Sequence, residues 1–556
     1  MERASYRIEG RTILVGAMLV LFVGIISGFI PSNDNDYFFK INKSIDVFGR
    51  VYKEIASNYV DQVDPEKFMQ AGIEGMLGTL DPYTVYIEKE DGDEVDLLTN
   101  GKYGGIGVTI GHREGTIQVI SVMDGYSAQR QGIIPGDKII EIDGVKVSNK
   151  KPDDVRSRTR GEPGTEVTVT VEREGEKQPL QFVLIRQEIQ IKNVTYAEFI
   201  EEGIAYIRLE RFSRRAGEEV RQAIKDLKLK GEIKAMVLDL RGNPGGLLDA
   251  AVEVVSKFVP RGSLIVSTKG RRSEADKEYR SREEPALADV PLVVLTDRNS
   301  ASASEIVAGA VQDLDRGLIL GTRTFGKGLV QTILPLSYGA QLKITTARYY
   351  TPSGRSIQEI DYIRRDNHGL FTAYEDSAKK EFRTSSGRTV YEHGGIAPDS
   401  TVEEPDPGPM VRELYRKLLF FKFVNRYSAG NRSPLEAGVT DKMMEEFKKF
   451  LEEQKFSYQE ESEQKLRDLR ELADKLHYSK AVLSDLDALK SDLDKEKSRG
   501  FERYEDHISR ELSVELMSRV KGEQGRIEAS IKDDVQLKTA RELLKDQTLY
   551  ALKIKS

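Results

Sequence analysis

Two apolar strand candidates, each running directly into a turn of small residues and then a helical pattern, constrain this chain more than any other feature. Ala235-Met236-Val237-Leu238 leads into Arg241-Gly242-Asn243-Pro244-Gly245-Gly246. Val290–Thr296 leads into Ser300-Ala301-Ser302-Ala303-Ser304-Glu305 and the apolar stretch Ile306–Ala310. Alternation of this kind, from Ile191 to about Val402, is the signature of an α/β domain. The chain has 556 residues, enough for roughly three to four domains. Its net charge of −7 supplies no basic field for nucleic acid. Cysteine is absent, which removes disulfides, thiol nucleophiles and thiolate metal sites. The five histidines, His112, His368, His393, His477 and His507, show no paired spacing, so no metal and no cofactor is expected.

The remaining segments differ in rhythm. Thr12 to Ile30 is a nearly unbroken apolar run, just long enough to cross a bilayer as a helix. Arg3, Arg7 and Arg11 precede it and Asp34 and Asp36 come after, which predicts a cytoplasmic N-terminus and an extracytoplasmic body. A cleaved signal peptide is the rival reading, and Gly28-Phe29-Ile30-Pro31 is a poor cleavage site. Residues 40–98 read as amphipathic helices, with Ile41, Ile45, Phe48, Val51 and Ile55 at helical spacing and a second helix from Pro65 stopped by Pro82. From Tyr103 to Glu188 short β-branched strands alternate with glycines. Beyond Pro405-Asp406-Pro407-Gly408-Pro409 the chain is helical and charged, with Leu466, Leu469, Ala473 and Leu476 as a seam that Lys480 interrupts. A solvated helical bundle is the simplest reading of that tail; a dimerising or substrate-guiding arm is the alternative.

Three clusters carry chemistry. Gly104-Gly105-Ile106-Gly107 opens a strand; its successive amides form a nest for a carboxylate, and the strand edge accepts an added peptide. With Gly132-Ile133-Ile134-Pro135-Gly136-Asp137 and Asp143-Gly144 further on, the segment resembles a PDZ domain of the bacterial protease type. The turn around Ser302 places serines at a helix N-terminus, where amides and the helix dipole favour an oxyanion; a serine-rich N-cap without chemistry is the plain alternative. In Gly326-Lys327-Gly328-Leu329-Val330-Gln331 a lysine flanked by glycines lies among apolar neighbours. Desolvation there turns its amine into a base near neutral pH. Gln331, four positions on, shares its face and can orient it.

Taken in order, these pieces resemble the carboxyl-terminal processing peptidases, or tail-specific proteases, over most of residues 40–403. The likeness includes Leu80-Asp81-Pro82, the run Asp239–Gly246, and Gly394-Gly395-Ile396-Ala397-Pro398-Asp399. It implies Ser302 as nucleophile, Lys327 as general base, Gln331 as orienting group, and an oxyanion hole from Ala303 with Gly245 or Gly246. It also implies a PDZ switch residue at Arg160, holding the module through a contact with the protease core. The expected architecture is a mixed α+β and α/β multidomain chain. Residues 1–36 are a cytoplasmic tip and membrane helix, 37–98 an N-terminal helical part and 99–188 the PDZ module. A crotonase-like protease core takes 189–404 and a helical extension 405–556. The expected activity is a serine endopeptidase anchored in the inner membrane, its body in the periplasm. It takes protein or peptide substrates with free C-termini, and self-association is open to it. A catalytically silent PDZ scaffold and a CoA-type acyl-transfer enzyme are the competing readings.

Overall fold

The computed structural model describes residues 33–88, 99–113, 115–147, 152–366, 369–374, 380–430 and 438–555. The apolar run Thr12–Ile30 and His368 lie outside them, and no described helix is long and apolar enough to cross a membrane. Residues 33–79 form one unit, with helices Asn33–Asn58 and Pro65–Leu77. Asp64 caps the second by accepting from the amides of Glu66 and Lys67, with Pro65 at the first helical position, where no N–H is required. Tyr52 stacks on Phe68 at 5.2 Å and donates to the Pro65 carbonyl at 2.7 Å, which ties the two helices together.

The remainder is a second unit. Its small β-module pairs strands Val108–Arg113, Thr116–Val122, Lys138–Ile142, Glu166–Glu172 and Leu180–Ile185, antiparallel and in that order. Alternate residues point inward, so Ile117, Val119, Ile139, Val167, Val169 and Val171 share one core. A two-stranded neck pairs Lys102–Gly105 with Gln187–Gln190 at the two ends of this module, where the chain enters and leaves it.

The central sheet runs Val194–Glu201, Ile204–Leu209, Ala235–Asp239, Leu292–Thr296, Leu318–Gly321, Ser400–Thr401. Its first pair is antiparallel and the rest are parallel. Every residue of Ala235–Asp239 and Leu292–Thr296 is buried. The reason is cover on both faces. Met236, Leu238, Leu292 and Val294 pack under helices Ala216–Lys230, Leu248–Val255 and Ala303–Asp313. Val237, Val293 and Leu295 face the other way, onto Leu537, Leu543, Leu544 and Tyr550.

That second layer comes from the end of the chain. The region after residue 405 is helical, as the sequence predicts, but it differs from a purely solvated bundle. Met410, Phe420, Phe423, Phe447, Leu512 and Leu516 build a core of its own. Its helices Val535–Lys545 and Gln547–Lys555 complete the central sheet. The expected seam divides: Leu466 and Ala473 are buried, whereas Leu469 and Leu476 are exposed.

A second sheet bears on the site. Gln341–Tyr350 pairs along one edge with Leu329–Pro335 and along the other with Val85–Ile87 at its start and Leu264–Gly270 at its end. Residues 81–87 and 327–331 are thereby brought together.

Candidate active site

The turn after Leu292–Thr296 is knitted to the turn after Ala235–Asp239. The Asp297 carboxylate accepts from the amides of Gly242, Asn299 and Ser300. Ser300 Oγ donates to Leu240 O at 2.8 Å, and Ser304 Oγ to Asn243 O at 2.9 Å. Between them Ser302 has φ 55° and ψ −111°, a conformation that an L-residue holds only when its surroundings impose it. It is the residue immediately before helix Ala303–Asp313.

Lys327 sits where the chain passes close to two others. A Cβ on Gly326 would lie 2.5 Å from Glu359 Cβ and 3.2 Å from the Gly395 amide, and one on Gly328 would lie 3.2 Å from the Gln358 amide. At 326, where φ is 88°, only glycine fits, and at 328 a side chain would press on the Gln358 main chain. The Lys327 amine stands 4.0 Å from the centre of the Tyr83 ring. Burial first, and Lys343 second, lower it from the usual lysine range to about 8, while Asp81 and Glu305 act the other way.

Two side chains bind the main chains of Ser302 and Lys327 to each other. Glu305 Oε2 accepts from the Ser302 amide at 2.8 Å and from the Lys327 amide at 2.9 Å. Its Oε1 accepts from Thr324 Oγ1 and the Gly326 amide, both at 2.6 Å. On the carbonyl side, the Tyr349 hydroxyl lies 2.6 Å from Lys327 O and 3.1 Å from Ser302 O. Glu305 and Tyr349 are buried. Burial pushes the Glu305 carboxyl up to about 7, against the four hydrogen bonds that pull it down.

Gln331 lies in Leu329–Pro335 at a register irregularity, and its Nε2 donates to Thr345 Oγ1 at 3.2 Å. Thr345 N donates to Thr84 Oγ1, and Thr84 to Asp81, so the Asp81–Thr84 turn supports the same ribbon. Gly245 and Gly246, the glycines expected to frame an oxyanion hole, stand in different surroundings. A Cβ on Gly245 would lie 2.9 Å from both the Ala303 amide and Ser302 Cβ, so Gly245 permits the close approach. Its own N–H is occupied by Asn243 Oδ1 at 2.9 Å. The amides of Gly246 and Ala303 hold no hydrogen bond among the described residues.

Four histidines lie among the described residues. His393 stacks on Tyr374 at 3.9 Å, with Nδ1 3.0 Å from Gln358 O; His112 lies in Val108–Arg113; His477 and His507 belong to the C-terminal region. In the β-module, Gly104 packs on Gly161 and Gly107 on Tyr126 so closely that a Cβ at either would collide. The amides of Ile106 and Gly107, both buried residues, are unengaged among the described residues. Val108–Arg113 is the edge strand of its sheet, and Gly105 closes the neck strand just before it. The Arg160 guanidinium lies 4.9 Å from the Tyr103 ring. Its contact is thus with the neck strand, where a contact with the protease core was expected.

Sequence reasoning assigned no role to Glu305, Tyr349, Tyr83 or Asn243. Glu305 was within reach: an acidic residue three after a serine, ahead of an apolar helix, has capping-box spacing. Tyr349 and Tyr83 carry no local signal, since sheet pairing brings them in from far along the chain.

Four family models match the chain. Residues 203–367 match peptidase family S41 and 94–172 the PDZ domain. Residues 31–91 match the activating protease CtpB N-terminal domain, and 410–544 the C-terminal helical domain of a probable PDZ-protease. The carboxy-terminal-processing protease of Bartonella bacilliformis is 40% identical over 321 residues, 57% of this chain and 73% of that protein. Carboxy-terminal processing protease CtpB of Bacillus subtilis is 34% identical over 321 residues, 57% of this chain and 66% of that protein. Among solved structures, the photosystem II D1 C-terminal processing protease aligns at 27% identity with a TM-score of 0.35, covering 64% of this chain and 92% of that one. A PDZ domain, an S41 core and a helical C-terminal domain thus succeed one another in a single polypeptide, and the chain belongs to the carboxy-terminal processing proteases of peptidase family S41, which are serine-type endopeptidases.

Proposed function

We propose that this endopeptidase captures substrate C-terminal tails on its PDZ module and hydrolyses peptide bonds with a Ser302/Lys327 dyad, anchored to a membrane by Thr12–Ile30. The observation that carries the dyad is the double tie between the two main chains, Glu305 on the amides and Tyr349 on the carbonyls, beside a lysine lowered to about 8. At pH 7 about a tenth of such amines is neutral, against about one in three thousand for an ordinary lysine.

The neutral Lys327 amine removes the Ser302 hydroxyl proton as Oγ bonds to the scissile carbonyl carbon, and the carbonyl π pair moves onto oxygen. The amides of Ala303 and Gly246 receive that oxyanion, and the helix dipole of Ala303–Asp313 adds to them. The Lys327 ammonium then gives its proton to the departing amine nitrogen as the carbon–nitrogen bond breaks. Water, deprotonated by the same lysine, then adds to the acyl carbon, the ester bond to Ser302 Oγ breaks, and the Lys327 ammonium returns its proton to Oγ as the acid product leaves. Gln331 steadies the ribbon that presents the lysine.

Tail capture is supported by the unengaged amides of Ile106 and Gly107 beside an edge strand, a place for a terminal carboxylate and an added strand. Anchoring is supported by the flanking charges of the apolar run. Full-length protein, Ser302→Ala and Lys327→Ala are compared on an unfolded protein substrate. Both variants should remain folded and lose cleavage; retained cleavage in either refutes the dyad. Cell fractionation tests the anchor, which fails if a soluble form beginning near Gly28–Ser32 is recovered.

A further inference from the structure

The loop that carries the oxyanion donors is gripped from behind by the far end of the chain. Arg241 stands two residues before Asn243 and is only 8% exposed. Its Nε and Nη2 donate to Asp239 at 3.0 and 2.6 Å, and its Nη1 donates to Gln536 Oε1 at 3.0 Å. The same Nη1 lies 2.7 Å from the Asp534 carboxylate. Asp239 cannot answer Arg241 alone, because it also accepts from the Tyr206 hydroxyl at 2.7 Å and faces Arg208 at 3.6 Å. Arg208 is answered in part by Glu210 at 2.9 Å, and for Arg241 the buried Asp534 is a much closer second partner than the exposed Glu404 at 3.9 Å. Asp534 and Gln536 are themselves fixed. Asp534 caps Val535–Lys545 through the Leu537 amide at 2.8 Å, and Gln536 Nε2 donates to Val402 O at 2.7 Å.

From Arg241 the restraint passes along the main chain to the site. Gly242 N is held by Asp297, and Asn243 binds Leu209 O through Nδ2 and the Gly245 amide through Oδ1. Asn243 O receives the Ala301 amide and the Ser304 hydroxyl. We infer that Asp534 and Gln536 are positioning residues of the oxyanion loop: by neutralising and orienting Arg241 they fix the main chain from Arg241 to Gly246, and with it the Gly246 amide. The inference rests on the Ser302 reading of the site and extends it to a helix 295 residues further along the chain.

The test uses the full chain as wild type, Asp534→Asn, Asp534→Glu and Gln536→Ala. Asn keeps a capping oxygen while removing the charge, so the helix start survives. Each protein is assayed with a tail peptide substrate, with a peptide aldehyde whose hemiacetal oxygen occupies the oxyanion position, and with the cleaved peptide as a ground-state ligand. Asp534→Asn and Gln536→Ala should lower kcat about tenfold or more, with KM within about twofold. Aldehyde affinity should fall by the same factor while cleaved-peptide affinity holds, and Asp534→Glu should recover part of the loss. Unchanged kcat and aldehyde affinity in both variants would overturn the inference. Equal weakening of aldehyde and cleaved peptide would overturn it too, since that marks general loosening. Ser302→Ala runs beside them: hydrolysis surviving there refutes the nucleophile itself, whereas its loss beside a normal Asp534→Asn refutes only the grip.

Discussion

At the scale of single residues, Glu305 carries the heaviest constraint, because one buried carboxylate answers four donors and two of these are the amides of Ser302 and Lys327. All four contacts are donors, so the ionised form fits and an amide does not. Glu305→Gln turns an NH2 group toward at least one N–H and should lower kcat about ten- to hundred-fold through misplacement of Ser302 and Lys327. The carboxyl is raised to about 7 in the folded chain, so between the unfolded value and that pH the folded state binds the proton more tightly. Stability drawn from this group is therefore present at low pH and lost as pH rises from about 4.3 to about 7. Thermal melts of wild type and Glu305→Gln across that range should shift in the variant's favour as pH rises; a constant difference contradicts the assignment. Tyr349→Phe removes the single hydroxyl proton that the Lys327 and Ser302 carbonyls share and should cost about 1–3 kcal/mol of stability along with turnover. Denaturant titration checks it, and an unchanged midpoint contradicts it.

Elements explain which parts of this site the sequence could disclose. Lys138–Ile142 and the helix at Pro65 were readable because glycine, proline and alternation mark them locally. Gly326 and Gly328 announced a close approach, and Glu359, Gly395 and Gln358 are the residues that make it. Tyr83 and Tyr349 were silent, since an aromatic residue in a strand reads as core until the pairing of Val85–Ile87 with Gln341–Tyr350 is known. Arg160 shows the same limit: its charge was visible, its Tyr103 partner was not. The edge strand Val108–Arg113 and the Ile106 and Gly107 amides predict that amidating a substrate peptide's C-terminus weakens binding and cleavage together. Arg160→Ala should lower turnover more than peptide binding, because Tyr103 belongs to the neck and not to the groove. Fluorescence binding beside a cleavage assay reads both; equal handling of free-acid and amidated peptides reduces the module to a tether.

For the whole molecule, the last helices are a structural layer of the protease. Leu537, Leu543, Leu544 and Tyr550 cover Val237, Val293, Leu295 and Leu320, which would otherwise face water. In the sequence these four residues sit in a charged helical stretch that looks solvated, and only the sheet they cover shows otherwise. Four such side chains contribute roughly 6–12 kcal/mol of burial, comparable to the whole stability of an ordinary domain. A chain ending at residue 533 should therefore be insoluble or unfolded; a soluble, folded and active truncation contradicts that layer. The same region reaches the PDZ module, where Arg519 Nη1 donates to Pro135 O at 2.6 Å, and between the two grips its helix kinks at Gly522 with φ 62°. One strap thus touches the PDZ module and the back of the Arg241–Gly246 turn.

The lysine base is the claim on which the chemistry stands, and the pH dependence of kcat/KM, measured for wild type beside Lys327→Ala, tests it most directly. Only the neutral amine accepts the Ser302 proton, so wild-type activity should rise with pH through about 8, and Lys327→Ala should be inactive at every pH. A profile governed by a group near ~6.5 and abolished by His393→Ala, or a Lys327→Ala enzyme that still turns over, would contradict it.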